Sequence, residues 1–158
     1  MKKKQSNKYD IIVGIPSYNE SDTIPYVTKT VGEGLEQYFP YKKSIIVNVD
    51  NNSPDNTKDA FLDTTTGVEK KYISTAQGIC GKGNNFLNLF KFATKVDAEI
   101  VVVVDADLKS ITKEWVKYLG EPIAKGHDYV TPLYSRHQFD GTITNHICHP
   151  AIFSLLSV

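Results

Sequence analysis

The sequence has no surplus of either charge, since 18 lysines and arginines balance 18 aspartates and glutamates. A nucleic-acid-binding domain normally has a basic surplus, because it must neutralise phosphate groups. The composition therefore predicts no nucleic-acid partner. The basic cluster at residues 2–4 is predicted to be a solvated tail.

Long apolar runs and closely spaced cysteines are also missing. No stretch reaches the roughly 18 residues that a membrane-spanning helix needs, and the N-terminus lacks the apolar core of a signal peptide. The two cysteines, Cys80 and Cys148, have no metal-ligand or redox spacing. These features predict a soluble, cytoplasmic protein with no transmembrane segment and two free thiols.

Two common phosphate-binding motifs are missing as well. A Walker loop around Lys82 would need Gly at position 76 and Ser or Thr at position 83, but the chain has Ala76 and Gly83. A dinucleotide fingerprint would place a glycine-rich turn after the first strand, and no such turn follows Gly14. These absences argue against a P-loop enzyme and against a Rossmann dehydrogenase.

What the chain does contain is a regular alternation of strand-like and helix-like segments within one domain of 158 residues. The predicted strands are residues 10–16, 44–49, 69–74, 100–104 and 128–133. The predicted helices are residues 21–38, a helix from 54, 84–95, 112–124 and a last helix from 140 to the end. This alternation predicts a three-layer α/β/α fold with a mostly parallel sheet.

The segment Ile100–Val104 consists of five aliphatic residues, which predicts a strand buried on both faces and central in the sheet. Asp105 and Asp107 follow directly, with the small Ala106 between them. Carboxylates at the carboxyl end of such a strand are suited to hold Mg²⁺ or Mn²⁺ on a diphosphate. The alternative is a plain turn in which an aspartate caps the next helix.

Polar residues also follow the first two strands, as Ser17-Tyr18-Asn19-Glu20 and Asp50-Asn51. Because the carboxyl ends of parallel strands meet at one sheet edge, we expect these residues to share a crevice with the two aspartates. Lys82 lies between two glycines at a helix start, where backbone amides and an ammonium can hold phosphate. The alternative for Lys82 is a solvated lysine in a surface loop.

Together these motifs resemble the family 2-like glycosyltransferases of GT-A fold. The resemblance rests on residues 16–20, 49–57, Gly81-Lys82-Gly83 and Asp105-Ala106-Asp107. The later residues 134–136 and 140–144 are similar to those of glucosyl-3-phosphoglycerate synthases and mannosylglycerate synthases. The resemblance implies a metal-dependent, retaining transfer of a hexosyl group from a UDP- or GDP-sugar to a small hydroxylated acceptor such as glycerate or 3-phosphoglycerate.

The resemblance also assigns roles to individual residues. Asp107 and Lys82 would be catalytic, and Asp105 and Asp107 would hold Mg²⁺ or Mn²⁺. The acceptor would contact Arg136, Gly141, Thr142 and Thr144. The donor nucleotide would contact Pro16, Ser17, Tyr18, Asn19, Glu20, Asn51, Lys82, Asp105 and Ala106.

Other interpretations stay open. Asp50 and Asn52 are alternatively turn-shaping residues, Arg136 a surface ion pair and Thr142 a helix cap. For the whole chain, the rivals are an inverting family 2 transferase for polysaccharide or lipid acceptors and a non-catalytic nucleotide-binding module.

Two departures from the family pattern bear on these predictions. Many relatives have paired aspartates after the second strand, whereas this chain has Asp50-Asn51, which leaves the base preference open. The sequence also stops before the further sheet and the metal-binding histidine of its relatives, which predicts an N-terminal fragment of a longer enzyme. An unfinished sheet or the apolar last helix would favour a homodimer.

Overall fold

The computed structural model describes residues 8–79, 81–133, 141 and 143–156. Four strands alternate with four helices, and a π-helical segment, Ile143–Cys148, then leads into a fifth helix. The strands are β1 (Ile11–Ser17), β2 (Ser44–Asp50), β3 (Glu69–Ser74) and β4 (Ile100–Val103). The helices are α1 (Ile24–Tyr38), α2 (Thr57–Asp63), α3 (Lys82–Lys95), α4 (Glu114–Ala124) and α5 (His149–Leu156).

The four strands form one parallel sheet in the order β3-β2-β1-β4. The register pairs Ser17 with Asp50 and Asp50 with Ser74, so the first three strands end level with one another. Strand β1 is buried along its whole length, as expected of an apolar strand with neighbours on both sides and helices on both faces. The polar residues that follow these strands are therefore brought to a single edge.

Helices cover both faces of the sheet. One core cluster joins alternate residues of β1 and β4 to α1, α2 and α4, and it includes Val27, Leu35, Phe61 and Val116. A second cluster packs the opposite residues of β1 and β2 against α3 through Leu89 and Ala93. This arrangement confirms the predicted three-layer α/β/α fold with a parallel sheet.

Two predictions about the strands were wrong. Strand β4 is at an edge of the described sheet instead of its centre. Its residues are aliphatic because helices cover both faces of the strand. A strand can be buried on both faces whether or not each of its edges is paired with another strand. Residues 128–133 form no strand, and Tyr129 and Leu133 are exposed. Pro132 has no N–H to donate to a ladder. The segment lies across a groove from β4 and is not paired with it in the described sheet.

The predicted helix near the end of the chain is confirmed over residues 143–156, as a π-helical turn followed by α5. Its apolar side chains, including Ile152, Phe153 and Leu155, are exposed. Within the described residues, no helix has the length and apolar character that crossing a membrane requires.

Candidate functional site

A cleft of about 200 Å³ lies at the carboxyl edge of the sheet. It is formed by the residues that follow β1, β2 and β4, together with the first turn of α3. All the predicted donor and metal residues line it except Asn19, and one residue that was not predicted, Asn85, lines it too. The lining residues are Pro16, Ser17, Tyr18, Glu20, Asn51, Lys82, Asn85, Asp105, Ala106 and Asp107.

The acidic side of the cleft contains an ion pair and a separate carboxylate. The Lys82 ammonium, at the start of α3, lies 2.5 Å from an Asp105 carboxylate oxygen, and both side chains are about half exposed. The exposed Asp107 carboxylate has no hydrogen-bond or ion-pair partner in the described part of the chain. Asp105 is thus already neutralised by a cation, whereas Asp107 is available to one.

The two carboxylates fit the divalent cation that the resemblance implies. Among the described residues, no group of three or more histidine, cysteine, aspartate or glutamate side chains could enclose a metal ion. Mg²⁺, however, is commonly held by one or two carboxylates and completes its coordination with substrate phosphates and water. Asp107 and Asp105, which both line the cleft, would provide that smaller ligand set.

Asp50 lies directly behind the cleft and is fully buried. Its carboxylate accepts hydrogen bonds from the Ser17 hydroxyl at 2.8 Å, the Tyr72 hydroxyl at 2.9 Å, and the Ser53 N–H and hydroxyl at 2.8 and 2.6 Å. Burial, and then the hydrogen bond to Asp50, raise the pKa of Tyr72 to about 12. Asp50 therefore shapes the ends of β1, β2 and β3 and has no place on the cleft wall.

Ser17 reaches the cleft, where its contact with the nucleotide stays a prediction, and its side chain also has partners inside the protein. Its hydroxyl donates to Asp50 and accepts from Asn48 Nδ2 at 2.8 Å. Its carbonyl accepts from the Asn51 N–H at 3.0 Å and from Asn85 Nδ2 at 3.3 Å. Because the hydroxyl is engaged twice inside the protein, Ser17 fixes the end of β1.

The loop after β1 presents Tyr18 and Glu20 to the cleft. Asn19, between them, has a left-handed backbone with φ of 57°, which a non-glycine residue adopts rarely. The Tyr18 ring is 54% exposed and offers an aromatic face, whereas the Glu20 carboxylate accepts a hydrogen bond from the Thr23 hydroxyl at 2.7 Å. The turn at Asn19 explains why its own side chain does not line the cleft.

Asn85 was missed by the sequence reasoning. It is buried on α3, where Nδ2 donates to the Ser17 carbonyl and Oδ1 accepts from the Thr75 hydroxyl at 3.1 Å. It thereby ties the helix that begins at Lys82 to the ends of β1 and β3. The signal was available, because Asn85 precedes Leu89 and Ala93 at four-residue intervals and is the polar member of that buried stripe.

The predicted acceptor residues are not part of this cleft as the structure describes it. Gly141 is half-buried with φ of 67°, and it does not line the cleft. Thr144 is in the π-helical segment, but its side chain is outside the described part. Arg136 and Thr142 lie outside the described residues altogether. The four acceptor assignments therefore stay predictions.

A larger apolar groove of about 740 Å³ opens beside the cleft and shares Lys82 and Asp105 with it. Its walls include Phe86 and Phe90 of α3, Trp115 of α4 and the free side of β4. The polar cleft thus continues directly into an apolar surface.

The model of the family described as glycosyl transferase family 2 matches residues 12–153. No curated protein matches the chain. Among solved structures, glucosyl-3-phosphoglycerate synthase from Mycobacterium tuberculosis is 22% identical, with a TM-score of 0.70 over 94% of this chain and 51% of that one. The same enzyme in complex with Mn²⁺, UDP and glucosyl-3-phosphoglycerate gives a TM-score of 0.71, with the same identity and coverage.

A structure described as a mycobacterial protein gives a TM-score of 0.72 at 22% identity, and it covers 96% of this chain and 49% of that one. At these identities the likeness shows the fold. The chain spans about half the length of the solved structures that it matches.

Proposed function

The chain belongs to glycosyl transferase family 2, and on that premise we propose that it binds a UDP- or GDP-sugar and takes part in hexosyl transfer to a small hydroxylated acceptor. The observation that carries the proposal is the convergence in one cleft of an aromatic face, two amides, an ammonium and three carboxylates, two of them aspartates after β4. These are the groups that a base, a diphosphate and its metal ion require.

The donor nucleotide would bind along the ends of β1 and β2. The half-exposed Tyr18 ring offers a surface for the base. Asn51 lines the same wall, and its side-chain oxygen is buried without a hydrogen-bond partner among the described residues. A buried oxygen that accepts no hydrogen bond lowers the stability of the fold. Binding of a base N–H or a ribose hydroxyl that donates to this oxygen would therefore be favoured. Pro16, Glu20 and Ala106 would complete the nucleotide contacts.

The diphosphate would lie beside the Lys82–Asp105 ion pair and the Asp107 carboxylate, all of which line the cleft. Mg²⁺ or Mn²⁺, held by Asp107 and Asp105, would supply Lewis-acid stabilisation of the leaving diphosphate. The Lys82 ammonium would add a second positive charge to the same phosphates, on which negative charge develops during transfer. Solved relatives support this assignment, since the mycobacterial synthase has been crystallised with UDP and Mn²⁺ and with UDP and Mg²⁺.

Arg136, Gly141, Thr142 and Thr144 are proposed to hold the acceptor. For the mycobacterial synthase the acceptor found in the crystal is phosphoglyceric acid. A glycerate or 3-phosphoglycerate acceptor and a retaining outcome are the corresponding proposals for this chain. The protein's contribution to the transfer would be mainly to position the acceptor hydroxyl against the sugar.

The first test is calorimetric titration of UDP and of GDP into the chain, with and without Mn²⁺. We expect one nucleotide to bind only when Mn²⁺ is present, and that binding to be lost in Asp107→Ala. If the chain transfers sugar, the same substitution should lower the rate by about 10² to 10³, which corresponds to about 3 to 4 kcal/mol.

Asp63→Ala is the matched control, because Asp63 is an exposed aspartate at the end of α2 and does not line the cleft. It should bind nucleotide as the wild type does. Failure of the wild type to bind either nucleotide with Mn²⁺ would contradict the proposal, and binding without transfer or hydrolysis would favour a nucleotide-binding module.

A second candidate function is transfer to a lipid acceptor, because the apolar groove meets the cleft at Lys82 and Asp105. A polyprenyl phosphate in detergent micelles and 3-phosphoglycerate in solution would compete for the same donor. Sugar transfer to the lipid alone would favour this candidate, whereas transfer to the glycerate would exclude it as the main activity.

A further inference from the structure

The segment 53–57, which ends at the first residue of α2, holds the loop after β1 through hydrogen bonds to the backbone of that loop. The N–H groups of three successive residues, Asn19, Glu20 and Ser21, each donate to a side-chain oxygen of this segment. The acceptors are Ser53 Oγ at 2.9 Å, Thr57 Oγ1 at 2.9 Å and Asp55 Oδ2 at 3.1 Å. Three consecutive donors are thus satisfied by alternate residues of the sequence Ser-Pro-Asp-Asn-Thr.

The two hydroxyls in this set are oriented by carboxylates. The Thr57 hydroxyl donates to Asp55 Oδ1 at 2.5 Å, and the Ser53 hydroxyl donates to Asp50 Oδ1 at 2.6 Å. Since each hydroxyl has one proton and that proton is engaged, its oxygen is left to accept from the loop. The carboxylates therefore determine that Ser53 and Thr57 act as acceptors.

We propose that Ser53, Asp55 and Thr57 form a clamp that positions Tyr18 and Glu20 for donor binding. This inference rests on the proposed function, because it concerns the same cleft. None of the three clamp residues lines the cleft, whereas Tyr18 and Glu20 both do. The clamp holds the left-handed turn at Asn19 in place, and so it acts on the nucleotide only through the loop.

Thr57 allows a test that separates positioning from stability, because it is fully buried. Thr57→Val keeps the volume but removes the hydroxyl that holds the Glu20 N–H. Thr57→Ser keeps the hydroxyl but removes a buried methyl group. Both variants should unfold at a lower temperature than the wild type, so stability alone would not distinguish them.

Donor affinity should distinguish them. With Mn²⁺ present, Thr57→Val should raise the dissociation constant of the nucleotide about three- to tenfold, because a loop released from one hydrogen bond must be ordered again on binding. Thr57→Ser should stay within about twofold of the wild type, since it retains the bond. Equal losses in the two variants, or wild-type affinity in Thr57→Val, would overturn the proposal.

Amide hydrogen exchange of the ligand-free chain gives a second readout that needs no nucleotide. The Glu20 amide should be protected in the wild type and in Thr57→Ser, and its exchange should be about tenfold faster in Thr57→Val. A rapidly exchanging Glu20 amide in the wild type would overturn the clamp while leaving the donor site intact. A protected amide in a chain that binds neither nucleotide would instead overturn the proposed function, and with it the clamp's part in donor binding.

Discussion

Asp50 is a fully buried carboxylate whose described partners are hydroxyl and amide donors instead of a cation. Buried carboxylates are tolerated when their oxygens are saturated with hydrogen bonds. The Asp50 carboxylate accepts four hydrogen bonds. Tyr72, in β3, donates one of them, and it is the one of these donors that loses its proton in the alkaline range.

Alkaline unfolding should therefore report on Tyr72. Its pKa is raised from 10.0 to about 12, so the folded state favours the protonated form. The resulting stabilisation is complete below pH 10 and is lost as the pH rises from 10 to 12. Urea unfolding at pH 9, 10 and 11 should show a shallower loss of stability in Tyr72→Phe than in the wild type. Parallel losses in the two proteins would contradict this assignment.

The cleft residues that follow β1, β2 and β4 were predictable because their positions depend on strand ends, which the apolar pattern marks. The hydrogen-bond partners of the Ser17 side chain were not predictable. Its hydroxyl is engaged by Asp50 and Asn48, which are 33 and 31 residues away in the sequence. The contacts of the clamp residues were not predictable either. In the sequence, Ser53, Asp55 and Thr57 are typical of a turn and a helix start, and only the fold shows that the loop after β1 lies beside them.

Helices α1 and α4 approach closely because of a glycine. A Cβ atom at Gly34 would lie 2.7 Å from the Lys113 carbonyl oxygen and 2.9 Å from Val116 Cγ2. Gly34→Ala should destabilise the fold by about 1 to 3 kcal/mol, since a backbone carbonyl cannot move aside as a flexible side chain can. Chemical denaturation would measure the change.

Gly83→Ala is the control for that substitution. Gly83 is also helical, in the first turn of α3, and a Cβ atom there would meet nothing within 4 Å. This variant should be unchanged or more stable by up to about 1 kcal/mol, because alanine favours the helix. A stable Gly34→Ala variant would mean that α1 and α4 lie further apart than described.

The elements themselves were largely predictable, and the two errors have a common cause. Apolar periodicity reports whether a segment's faces are covered, and it located β1, β2, β3 and β4 to within a few residues. It does not report whether a strand has a neighbour on each edge. The edge position of β4 and the irregular residues 128–133 both depend on pairing, which involves residues distant in the sequence.

At the scale of the whole molecule, the edge of β4 that no described strand pairs with and the groove beside it are partly exposed apolar surface. Unpaired strand edges and apolar patches favour association, so the homodimer expected from the sequence stays a prediction. Sedimentation equilibrium should detect it as a mass that rises with concentration.

Phe90→Lys should weaken that association, because Phe90 is about half exposed on the groove wall. Lys91→Ala, on the exposed face of the same helix, is the control and should associate as the wild type does. A wild type that stays monomeric at high concentration would exclude the homodimer.

The ion pair between Lys82 and Asp105 has a consequence for the order of events in the cleft. A phosphate that approaches Lys82 must compete with Asp105, and a divalent cation that approaches Asp105 must compete with Lys82. A diphosphate that arrived with its cation would resolve both competitions at once, because each charge of the pair would exchange one partner for another. At the proposed donor site, this ion pair would therefore favour a nucleotide bound to its cation over the free nucleotide or the free cation.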